Sequence, residues 1–75
     1  MGSLAIKPKQ LVRALERAGF YVHHQTGSHV RMLHRTKSNL KVTVPIHSKD
    51  IPLGTLHKIL KQAGLTKEEF IGLTR

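Results

Sequence analysis

The sequence has no cysteine and no tryptophan. Without cysteine there is no disulfide and no thiolate metal site, which fits a reducing compartment, so the expected location is the cytoplasm. Two Phe and one Tyr are the only aromatic residues. That is too few for base stacking to dominate a binding energy, and no aromatic RNP motif, Walker loop or dinucleotide fingerprint occurs. Acidic residues are equally scarce: Asp and Glu together number four, and Glu68 and Glu69 fall near the C-terminus. A hydrolytic metal centre lacks carboxylate ligands, no His-Glu-x-x-His pair is present, and a serine triad has only Glu16 and Asp50 to draw on. Neither a metal nor a cofactor is expected. No apolar run approaches the ~18 residues of a membrane span, and no charged segment followed by an apolar stretch opens the chain, so a protein neither secreted nor membrane-spanning is expected.

What remains is small, globular and basic. Seventy-five residues, 39% of them hydrophobic, make one domain over 1–75, with residues 1–6 expected as a flexible lead. Thirteen Lys and Arg leave a net charge of +9. On so small a body that excess must cover much of the surface and implies an anionic partner.

Periodicity divides the chain into six elements. Between Pro8 and Ala18, Leu11, Leu15 and Ala18 recur at helical spacing, with Pro8 suited to the first turn and Gly19 to the position after the last. The period then becomes two. Phe20 and Val22 alternate with Tyr21 and His23, and a turn centred on Gly27 leads to Val30 and Met32 alternating with His29 and Arg31. After the turn-rich Thr36-Lys37-Ser38-Asn39, the residues Leu40, Val42, Val44 and Ile46 alternate with Lys41, Thr43, Pro45 and His47. This predicts a third strand, at a sheet edge because of Pro45. Leu53, Leu56, Ile59, Leu60 and Ala63 then define a second helix closed by Gly64, and Thr66-Lys67-Glu68-Glu69 is a capping box opening a short last helix. The expected fold is α+β: an αβββα order with a short C-terminal helical tail, the helices covering one face of a three-stranded antiparallel sheet.

Alternation also sorts the side chains between faces. Phe20, Val22, Val30, Met32, Leu40, Val42, Val44 and Ile46 are expected inward, with His24 and His34 on the same core-side parity near strand ends. Tyr21, His23, His29, Arg31, Lys41, Thr43 and His47 are expected outward. Taken singly, each of the outward residues reads as part of an ordinary solvated face. Together, histidines, an arginine and a lysine converging without a carboxylate suit a phosphate: the cations supply charge and donors, and imidazole binds or moves protons near neutral pH. Gly27-Ser28-His29 sits where the turn enters the second strand. Glycine there permits close backbone approach, Ser28 offers a hydroxyl to a phosphate or to the turn, and His29 is presented at the strand's start. His47 is a candidate second proton-transfer group, whereas His23, His24 and His34 read as ordinary strand or turn histidines and His57 as an exposed helix residue.

On this frame the sequence resembles the HicA family, the toxin half of HicAB toxin–antitoxin pairs. The resemblance runs through Lys9-Gln10-Leu11-Val12, Ala18-Gly19-Phe20, Gly27-Ser28-His29, Val44-Pro45-Ile46-His47, Gly54-Thr55-Leu56, and Lys58-Ile59-Leu60-Lys61-Gln62-Ala63-Gly64-Leu65, with Glu69-Phe70 behind. It covers nearly everything from Lys7 onward. It departs at His57, where the family often carries Arg or Lys, and at Lys7-Pro8. The resemblance implies a double-stranded-RNA-binding-like fold, ribonuclease activity on mRNA, a catalytic histidine at His29 and neutralisation by a HicB-like antitoxin. RNA contacts are then expected from Gly27, Ser28, Arg31, Lys41, His57, Lys58 and Lys61, with His47 as candidate general acid. A non-catalytic RNA-binding module using the same basic face is the alternative.

Overall fold

The computed structural model describes residues 6–46 and 49–74. The helix α1 runs over Pro8–Arg17 and is followed by three strands, β1 (Phe20–Thr26), β2 (His29–His34) and β3 (Lys41–Pro45). Two helices, α2 (Leu53–Ala63) and α3 (Lys67–Leu73), complete the αβββα order with its helical tail. The sheet is antiparallel with β2 in the centre, so β3, carrying Pro45, is an edge strand as its sequence requires. Residues 1–5 of the expected lead lie outside the described residues. Ile6, its last member, is buried, and its carbonyl accepts a 2.7 Å bond from the Ile51 amide. This ties the entrance of α1 to the segment before α2.

The helix ends follow their local chemistry. At α1, Pro8 occupies the first turn, and the side-chain Oε1 of Gln10 accepts from the Lys7 amide at 2.9 Å. The helix stops at Ala18, and Gly19 turns the chain with φ +101°. At α2 the stop is Gly64 in the left-handed region, φ +70°. At α3 the box is reciprocal: Thr66 Oγ1 accepts from the Glu69 amide at 3.0 Å while Glu69 Oε1 accepts from the Thr66 amide at 2.8 Å. Replacing Thr66 with alanine removes one of these bonds and should cost about 1 kcal/mol. In a domain this size that corresponds to a melting temperature lower by roughly 4–8 °C, read by thermal unfolding. An unchanged midpoint would mean that α3 is held by packing alone.

The helices bring Leu11, Leu15, Leu56, Ile59, Leu60 and Phe70 against Phe20, Val30, Met32, Val42 and Val44 of the sheet. All of these strand residues were expected inward. Leu40 and Ile46 are half-buried at the margin of the core. Val22 departs from expectation, being 43% exposed although it stands opposite fully buried Met32. The reason is its strand: β1 is an edge, and past Phe20 it runs beyond the cover of the helices. Leu53, 54% exposed, is likewise outside the core, because it sits in the first turn of α2 before the helix meets the sheet.

His34 knits the end of β2 to the end of α1. Its ring meets Phe20 edge-on at 4.8 Å, Nε2 lies 2.9 Å from the Ala18 carbonyl, and Nδ1 accepts from the Thr36 and Lys37 amides at 3.2 and 3.1 Å. Two amide donors at Nδ1 leave the proton on Nε2, where it donates to Ala18. As expected from its parity, this histidine is structural.

Candidate nucleic-acid interface

The face opposite the helices is built on β2. With Val30 and Met32 buried, His29 and Arg31 necessarily project to the other side. On β3, buried Val42 and Val44 leave Lys41 and Thr43 on that same side by the same rule, and both are exposed. Tyr21, opposite Leu33, lies farther along, with the Arg35 guanidinium 5.5 Å over its ring.

His29 opens β2 immediately after the Gly27-Ser28 turn and pairs with Thr26 on one side and Pro45 on the other. Its Nδ1 is 2.9 Å from Ser28 Oγ. In the tautomer whose Nδ1–H donates to that hydroxyl, Nε2 keeps its lone pair toward solvent, ready to accept a proton. The turn is held from the residue just past β3, where the Ile46 amide donates to the Ser28 carbonyl at 2.7 Å. Gly27 has no positive φ, and a Cβ built on it would meet nothing within 4 Å. What its missing side chain leaves is therefore open space beside Ser28 and His29, room for an approaching ligand backbone.

Two hollows adjoin on this face. One, of about 500 Å³, is lined by His24, Thr26, His29, Arg31 and Thr43. The other, of about 440 Å³, includes His23, Arg31, Lys41 and Thr43, with Gln62 of α2 reaching its margin. Arg31 and Thr43 belong to both, and no carboxylate lines either. The charged side chains that line the hollows, Arg31 and Lys41, are cations, which suits a phosphodiester backbone and not a cation that needs acidic ligands.

The structure brings together five of the anticipated site residues, Gly27, Ser28, His29, Arg31 and Lys41. It does not bring in His57, Lys58 and Lys61. These three are exposed on α2, the helix that packs on the opposite face of the sheet, and none lines either hollow. His47 lies outside the described residues.

One member of the site was misassigned by parity. His24, expected on the core side, lines the His29 hollow because the register shifts between Val22 and His24: a β-bulge places two residues of β1 against one of β2. Beyond it, His24 stands opposite Arg31 and Thr26 opposite His29. A signal existed in His23-His24-Gln25-Thr26, four polar residues in a row where strict alternation would require apolar side chains at 24 and 26.

Among the described residues no helix is long and apolar enough to cross a membrane. Residues 8–65 match the family described as the HicA toxin of bacterial toxin–antitoxin. No curated protein matches the chain.

Proposed function

The chain belongs to the HicA toxin family, the toxin side of bacterial toxin–antitoxin pairs, and on that premise we propose that it is an endoribonuclease that cuts mRNA with His29 as general base and without a metal. Family membership carries with it an antitoxin partner. The observation that supports the nuclease reading is the exposed His29, hydrogen-bonded through Nδ1 to Ser28 and set in a hollow with Arg31.

RNA carries its own nucleophile. A base that removes the proton of a 2′-hydroxyl lets that oxygen attack the adjacent phosphorus, leaving a 2′,3′-cyclic phosphate and a 5′-hydroxyl end. His29 Nε2 is the group for this step. Arg31, common to both hollows, and Lys41 stabilise the negative charge that grows on the phosphoryl oxygens, as preorganised cations do in transition states of this kind. Ser28 orients the ring, and the space above Gly27 admits the strand.

The test is incubation of the protein with end-labelled RNA in excess EDTA, with both product ends mapped. Cyclic phosphate and 5′-hydroxyl ends support the reading. A 5′-phosphate would identify water as the nucleophile and overturn it, and salt-sensitive binding without cleavage would make the protein an RNA-binding module.

The charge on this face is separately measurable. Lys41→Ala should lower the slope of log affinity against log salt concentration by about 0.7, the contribution of one phosphate contact on a single strand. A slope identical to that of the unsubstituted protein would remove Lys41 from the interface.

A further inference from the structure

We propose that His24 is the general acid of the cleavage, protonating the 5′-oxygen as it leaves phosphorus. This deepens the nuclease reading and rests on it. The observation is the bulge in β1. A regular pairing would turn His24 to the same side as Val22, beneath the sheet. The register shift instead sets it opposite Arg31, on the open face and in the same hollow as His29. Bulges re-aim side chains in this way next to sites of chemistry.

The geometry suits a pair. His24 and His29 are diagonal neighbours across β1 and β2, since the residues directly opposite them are Arg31 and Thr26. Diagonal neighbours on one face of an antiparallel pair have side-chain origins roughly 7–8 Å apart. That leaves room for a phosphodiester between two imidazoles, each within the roughly 2.6–3.2 Å reach of one oxygen that proton transfer requires. Arg31, directly opposite His24 and two residues along β2 from His29, shares their hollow and is placed to face the phosphoryl oxygens.

The proton balance closes with these two groups. His29 takes the proton from the 2′-hydroxyl as the 2′-oxygen–phosphorus bond forms. The bond from phosphorus to the 5′-oxygen breaks, and the proton on His24 passes to that oxygen. No other described group on the face is equally fitted. A guanidinium supplies charge and hydrogen-bond donors but is a poor proton donor, whereas an imidazole exchanges protons near neutral pH. His23, at the bulge itself, lines the neighbouring hollow with Lys41 rather than the one with His29. His34 has both ring nitrogens engaged within the fold.

The experiment compares two RNAs of one sequence, one with the natural 5′-oxygen at the cut site and one with sulfur bridging in its place. A thiolate leaves without being protonated. His24→Gln should cut the natural linkage about 10²-fold more slowly or worse, yet cut the sulfur linkage nearly as fast as the unsubstituted protein. His29→Ala should be slow on both. His24 is exposed, so the variant should fold, which circular dichroism checks. Unchanged rates for His24→Gln on both RNAs, or equal slowing on both, overturn the assignment while leaving the nuclease reading intact. So would His47→Ala showing the sulfur rescue in its place. If the unsubstituted protein cuts neither RNA, the underlying reading falls and this one with it.

Discussion

His29→Ala should lower the rate of RNA cleavage by about 10²- to 10⁴-fold, the range that one positioned proton-transfer group supplies. That equals about 2.7–5.4 kcal/mol of activation free energy, far more than the substitution should take from the fold. The side chain is exposed, its ring hydrogen-bonds to the neighbouring Ser28 hydroxyl, and the strand is fixed by backbone pairing on both sides, which alanine preserves. Thermal unfolding should therefore be nearly unchanged. The loss should fall on kcat with KM little affected, because binding rests on the charges around His29, and a group acting only in the transition state leaves ground-state binding alone. Single-turnover cleavage with the RNA bound to saturation separates the two. A variant that retains full activity would exclude His29 as the base, and one that loses activity only through weaker binding would make it a contact residue.

The second large effect lies in the fold. Gly19→Ala should destabilise the domain by about 1–3 kcal/mol from backbone strain alone, since φ +101° is a conformation that residues with a Cβ rarely adopt. A further penalty comes from crowding. A Cβ at this position would stand 2.7 Å from His34 Nε2, the atom that bonds to the Ala18 carbonyl. The imidazole must move, and with it the contacts to Ala18, Thr36 and Lys37 and the edge-on packing against Phe20. Losing even one such bond adds about 1 kcal/mol. The melting temperature should drop by roughly 10 °C or more. A double substitution that also truncates His34 distinguishes the causes: if crowding dominates, Gly19→Ala costs less in the His34→Ala background than alone.

The parts of this architecture visible in the sequence are those encoded by local chemistry. Pro8 and Gly19 bracket α1, Gly64 ends α2, and Thr66 with Glu69 opens α3, because each acts on backbone groups within a few residues of itself. Alternation located the strands and the outward set His29, Arg31, Lys41 and Thr43. It failed at His24 because periodicity assumes one-to-one pairing, whereas the bulge is a property of two strands at once. Exposure of Val22 and Leu53 was hidden for a related reason: apolar character says which face a residue can occupy, not how far the covering layer extends. The cations of α2, expected as RNA contacts with the resemblance, line neither hollow, although Gln62 of the same helix reaches the margin of one.

A hollow open to solvent on a bare sheet has a consequence for what can be recognised. The described core joins helices to sheet, and both hollows on this face lie open to solvent. Open hollows of this kind do not select by enclosure. The RNA strand of the proposed function fits that openness, because it can lie across the strands and gather many weak contacts along its length. Under the proposed function the same openness suits silencing by occlusion: a cover laid over the face from outside closes it with no rearrangement of the described fold.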